Sequence, residues 1–202
     1  MAFISNGTTI LDAGAFNVNL GSLVLISEQT ASSSANISFT SGIDSTYPIY
    51  KFEFINVHPQ NDAVNFQFNL STDGGSNYNV TKTTTSVYAF QEEASGSTGL
   101  GYHTPTDLAQ STAFQQLNNA GGIGNDNDQS LSGTLQIFNP SSVTFVKHFI
   151  ACTNQYQNAN NTIEAFIAGY GNTTNSVDAV RFQMSSGNID SGTIKLYGIK
   201  DS

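Results

Sequence analysis

The chain has 202 residues, enough for one large domain with a substantial buried core. Only 10% of its residues are charged, 38% are hydrophobic, and the formal net charge is -9, a balance that opposes condensation onto nucleic acid phosphates or insertion at an anionic membrane surface, which need Lys and Arg clusters. The six basic residues are scattered, and the single Cys152 excludes an intramolecular disulfide.

The opening segment, residues 1–21, lacks the basic start and long apolar stretch of a signal peptide, so the protein is expected to be made in the cytoplasm. Phe3-Ile4-Ser5, an Asn6-Gly7 turn and Thr8 to Leu11 predict a small hairpin arm ahead of the main core. A two-stranded hairpin is marginal alone in water. Phe3, Ile4, Ile10, Leu11 and Phe16 are therefore the expected assembly contacts, made with the arm's own domain or with a neighbouring subunit.

From Leu23 onward strand-like runs recur at 23–26, 35–39, 49–57, 63–70, 87–90, 131–138, 143–151, 163–170, 177–184 and 193–199. Several alternate strictly, as in Tyr50-Lys51-Phe52-Glu53-Phe54, which puts the aromatics on one face and the polar residues on the other. Asp73-Gly74-Gly75 supplies a turn with positive φ, and Asn139-Pro140-Ser141-Ser142 a proline-fixed one. Short antiparallel strands at this spacing predict an all-β, two-sheet sandwich of jelly-roll type over 22–202.

One long polar, Gly-rich stretch, 92–124, breaks the rhythm and is expected to be a loop insertion. It contains one candidate helix, from about Asp107 to Leu117. At the other end of the chain, Val180 to Met184 and Thr193 to Ile199, separated by a Gly, Asn, Ser and Asp turn, predict a closing hairpin.

Catalytic patterns are missing. His58, His103 and His148 stand in no metal-ligand spacing, no GxSxG elbow occurs, and the 96–101 glycine loop lacks the Lys of a phosphate cradle. Adjacent Glu92 and Glu93 point opposite ways in an extended segment, which does not suit paired-carboxylate hydrolysis. Asp126 and Asp128 offer oxygens to a cation, as does Asp73, but the full calcium-loop pattern is missing. The reading is a non-enzymatic protein with no cofactor or metal, and Cys152 is expected to be an inert buried thiol. Tyr78, Tyr102 with His103, and Tyr156 lie among Asn and Gln, a composition suited to stacking on a sugar ring while amides bond its hydroxyls.

The closing run SSGNIDSGTIKLYGIK resembles the C-terminal ending of bacteriophage virion proteins, especially those of marine phages of cyanobacteria and other ocean bacteria. Further family-like blocks are Phe3 to Asp12, Thr30 to Ser34 leading to Phe39 to Tyr47, Ser71 to Ser76, and Phe138 to Ser142, with 92–124 the least matched. The resemblance implies a virion surface protein, of capsid-decoration or tail-fibre type, working through symmetric protein contacts as a homo-oligomer such as a trimer. Its implied partners are the major capsid or tail proteins, with host surface glycans as the alternative, and it carries over no catalytic residue.

Overall fold

A computed structural model describes residues 3–5, 7–12, 15–16, 22–119 and 121–200. Fifteen strands appear among them: β1 (Phe3–Ser5), β2 (Thr8–Asp12), β3 (Ala15–Phe16), β4 (Leu23–Thr30), β5 (Ile37–Phe39), β6 (Ile49–Pro59), β7 (Phe66–Ser71), β8 (Lys82–Glu92), β9 (Thr98–Tyr102), β10 (Gln115–Gln116), β11 (Leu131–Phe138), β12 (Lys147–Gln157), β13 (Asn161–Gly171), β14 (Ala179–Met184) and β15 (Ile189–Ile199). An eight-stranded sheet in the order β4-β15-β6-β11-β12-β13-β8-β9 packs on a four-stranded sheet in the order β10-β7-β14-β5. All pairings are antiparallel, and the architecture is the expected two-sheet sandwich.

The alternation read from sequence does the work of placing side chains. Tyr50, Phe52 and Phe54 of β6 are buried while Lys51 and Glu53 between them face out. Phe182 of β14 sits at the centre of the core, 5.1 Å from Phe52, 5.2 Å from Phe54 and 5.7 Å from Phe66 between ring centroids. Each such buried ring contributes about 1.5–3 kcal/mol by leaving water.

The expected closing hairpin does not form. β14 lies in the small sheet between β7 and β5, with Phe182 opposite Phe68 and Ile37, while β15 lies in the large sheet between β4 and β6. Both runs do present one dry face, but alternation specifies a face and not a partner. The intervening turn crosses from one sheet to the other, tied by Ser185 N–H donating to Asn65 O and Ile189 N–H to Ser34 O. β15 then bulges against β6, where Gly192 at φ +117 has no room for a Cβ beside Asn56 O, 2.6 Å away.

The 92–124 stretch also differs from expectation. β9 extends the large sheet, a single 3-10 turn occupies Thr104–Thr106, and β10 edges the small sheet. No helix forms over 107–117, because this segment spends its polar groups on long-range partners. Leu117 N–H donates to Phe66 O, Asn118 Oδ1 accepts from Phe66 N–H, and Gln155 Nε2 donates to Asn119 O at 2.7 Å. Four strands cannot cover eight, and 104–119 covers part of the remainder. The inner face that it meets is correspondingly polar: Lys82, Thr84 and Ser86 of β8, with Thr153 and Gln155 of β12.

The arm is three-stranded, in the order β1-β2-β3, adding Ala15–Phe16 to the expected hairpin. Its register sets Phe3 opposite Leu11 and Leu11 opposite Phe16, so three of the five expected contact residues share one cross-strand row. Ile4 pairs with Thr9 and is exposed. Arm positions 1, 2, 6, 13, 14 and 17–21 lie outside the described residues.

Candidate interaction surface

The outer face of the large sheet divides into two halves. On β4, β15 and β6 it is ionic: Lys51 pairs with Glu53 at 2.8 Å and Lys195 with Glu28 at 3.0 Å. Hydrogen bonding to Glu28 raises the Lys195 pKa above the ordinary lysine value, as an exposed ion pair should. Exposed Leu23 and Leu25 stand at the far edge of this half, on β4.

On β12, β13, β8 and β9 the outer face is apolar over three rows at one end, beyond which Asn154, Glu164 and Gln91 make it polar. The ladder lines up three successive rows: His148, Tyr170 and Thr83; Ile150, Ala168 and Thr85; then Cys152, Phe166, Val87 and Tyr102. Strands about 4.8 Å apart bring the members of each row into mutual contact. None of these residues is Asp, Glu, Lys or Arg. Ile150 is 51% exposed, Phe166 47%, and Leu100 on the edge strand 82%. Ile150 and Ala168 line a shallow groove of about 550 Å³ with Phe138, His148 and Tyr170, and a smaller one of about 140 Å³ with Val87 and Phe166. Phe145 and Val143, in the loop leading into β12, are also largely exposed.

Cys152 belongs to this outer face and is half-buried, which corrects the expectation of a buried thiol. Its place in an apolar run is misleading because β12 alternates, with Phe149 and Ala151 taking the inner positions. Partial burial and then the neighbouring Glu164 carboxylate, 3.6 Å away, raise the thiol pKa, so the reactive thiolate is disfavoured.

The four aromatic candidates for glycan stacking are spread over separate places. Tyr78 packs against the small sheet, with the Arg181 guanidinium 4.0 Å above its ring. Tyr102 ends β9, where its hydroxyl donates to the Asp107 carboxylate, and His103 next to it meets Thr106 and the edge of the Tyr88 ring. Tyr156 lies toward the end of β12, and its hydroxyl donates to Glu93 at 2.8 Å, which raises its pKa. It lines an open polar groove of about 500 Å³ with Asn154, Thr162, Gln91, Asn160 and Glu92.

Asp126 and Asp128 occupy a tight turn in which Gln129 N–H donates to Asp126 O, and His58 approaches the same carbonyl at 3.2 Å. Among the described residues no group of three or more His, Cys, Asp or Glu side chains is placed to hold a metal ion, and no helix is long and apolar enough to cross a membrane.

Two buried lysines had no clear sequence signal beyond a cation inside an alternating strand. The Lys147 ammonium is held by three backbone carbonyls, Ser142 O and Phe145 O at 2.7 Å and Thr173 O at 3.2 Å, which fixes the loop entering β12. Lys82 donates to Asn69 Oδ1 and to Val80 O, and burial lowers its pKa to about 7.

Comparison of the chain with protein-family models, with curated proteins and with solved structures finds no match.

Proposed function

We propose that the chain is a non-enzymatic surface protein of a bacteriophage virion, a capsid-decoration or tail-fibre-type component that works through symmetric protein-protein contacts. The observation that carries this reading is the apolar patch on the large sheet's outer face, three ladder rows without a charged side chain, bordered by Glu164. Monomeric proteins seldom leave contiguous apolar patches of this kind uncovered, and such patches mark contact sites. The sequence resemblance supplies the particle, with the major capsid or tail proteins as partners, and the arm row of Phe3, Leu11 and Phe16 is a second contact on this reading.

Immunogold labelling of intact particles of a phage encoding the chain tests it. Label around the head is expected for a decoration protein, and label at the tail for a fibre component. Unlabelled particles, with the protein recovered free from the lysate, would overturn the proposal.

A second reading is a glycan-binding module, favoured by the groove at Tyr156, where one aromatic ring stands among amides, a hydroxyl and two carboxylates. A glycan array probed with the native protein and with Tyr156→Ala is expected to show binding that the substitution removes. No binding above background would exclude it.

A further inference from the structure

The eight-stranded sheet ends on β9, a strand with none of the features that blunt a sheet edge. It contains no Lys and no Pro, and it runs without a bulge against β8. The backs of its two glycines are covered by aromatic rings: a Cβ at Gly99 would meet the Phe90 ring and one at Gly101 the Tyr88 ring. Small residues beneath rings hold this edge flat against β8.

Hydrogen-bond phase shows which of its backbone groups are free. Glu92 N–H donates to Ser97 O at 2.8 Å and His103 N–H to Ser86 O at 3.0 Å, so residues 97 and 103 point their backbone groups into the sheet. Alternation then turns Gly99 and Gly101 inward, and Thr98, Leu100 and Tyr102 outward. Among the described residues no partner meets the outward amides and carbonyls of these three. The same three side chains are exposed, with Tyr102 in the row of Val87 and Phe166, Leu100 beside Ala89, and Thr98 beside Gln91.

Building on the reading of that face as an assembly surface, we infer that β9 pairs antiparallel with β9 of a second copy, across a two-fold axis at Leu100, joining two eight-stranded sheets into one. Leu100 then lies opposite Leu100 of the second copy, and Thr98 opposite its Tyr102. All three are hydrogen-bonded pairs, giving roughly six backbone bonds at two per pair. A two-fold axis perpendicular to the sheet keeps both apolar faces on one side, and the contact is isologous and closes at two copies.

Charge selects a second copy as the occupant. A chain of net charge -9 repels its own kind wherever carboxylates meet, and β9 carries no charged residue, whereas the opposite edge strand, β4, carries Glu28. A basic partner would be drawn to the acidic remainder of the surface and gains nothing from an uncharged edge. The exposed parts of Leu100 and Tyr102 at this seam sum to roughly 250 Å² of mostly apolar area, taking such side chains at about 150–250 Å². That is about a third of the roughly 800 Å² per partner of a specific interface, and the backbone bonds of the paired edges add to it.

The full chain should sediment as a concentration-dependent dimer. Leu100→Pro deletes only a donor that the isolated sheet does not use, so the far-UV spectrum should be unchanged and the dimer dissociation constant should rise about tenfold or more. Leu100→Ala, which keeps the amide, should weaken the dimer less than Leu100→Pro. If Leu100→Pro misfolds, hydrogen exchange of wild type decides: the Leu100 and Tyr102 amides should become protected as concentration rises. A monomer at all concentrations, a trimer mass, or exchange at these amides independent of concentration would overturn the inference. Particle labelling is a separate readout, so a labelled particle with a monomeric protein would sink the edge pairing and leave the virion reading standing.

Discussion

On β6 and β15 the large sheet carries the Lys51–Glu53 and Lys195–Glu28 ion pairs outside and buries Phe52, Phe54, Ile194 and Leu196 inside. On β8 and β9 the arrangement is reversed, with Val87, Leu100 and Tyr102 facing out and Lys82, Thr84 and Ser86 facing in. The contrast is one of solvent. The first half meets water on its outer face and the small sheet on its inner one, so its polarity follows the ordinary rule. The second half meets the polar 104–119 segment on its inner face, while Val87, Phe166 and Ile150 stand exposed on its outer one.

The largest effect expected from breaking this contrast lies in the aromatic core. Phe182→Ala should cost about 3–5 kcal/mol in urea unfolding, because five neighbouring rings cannot collapse onto the cavity. A loss under 1 kcal/mol would mean that the core is not where the first half gains its stability.

Lys82 tests the polar interior of the second half. Its pKa falls from 10.5 in the unfolded chain to about 7 in the fold, so between those values the unfolded chain binds more protons and stability rises with pH. The penalty, a few kcal/mol, is fully present below pH 7 and is relieved as pH rises toward 10.5. Lys82→Met should flatten the stability profile over that window and raise stability at pH 6. Parallel profiles for the two proteins would show that the amine is not desolvated.

Thr84→Val removes the hydroxyl that donates to Gln115 at 2.8 Å and accepts from Leu108 N–H, leaving buried groups unpaired. A loss of about 1–3 kcal/mol is expected by chemical denaturation, with exposure of the 104–119 segment to proteolysis. The smallest effect belongs to the ion pairs on the first half's outer face: Lys51→Ala should change stability by about 0–1 kcal/mol, and less in high salt.

The sandwich was legible because strict alternation, as in β6 and β7, is a local property of the chain. So were the turns: Gly74 and Gly75 take positive φ, and Ser142 N–H donates to Asn139 O. Strand partners were not legible. Val180 and Phe182 on one side and Ile194 and Leu196 on the other have equal claims to a dry face, and only three-dimensional packing assigns them to opposite sheets. The 104–119 segment hid its role for a related reason, since Gln115 read as part of a short helix and Asn118 and Asn119 as loop residues until the buried partners that satisfy them are seen. The apolar strip was the least visible, because its members come from four strands and no single run of sequence displays it.

The contrast between the two outer faces is tested most directly by sedimentation of matched charge substitutions over a hundredfold range of concentration. Leu100→Asp lies at the β9 edge of the apolar half and Thr193→Asp on β15 of the other. Wild type and Thr193→Asp should associate alike while Leu100→Asp remains monomeric with an unchanged far-UV spectrum. Equal association of all three would contradict the assignment of the apolar half as the contact surface.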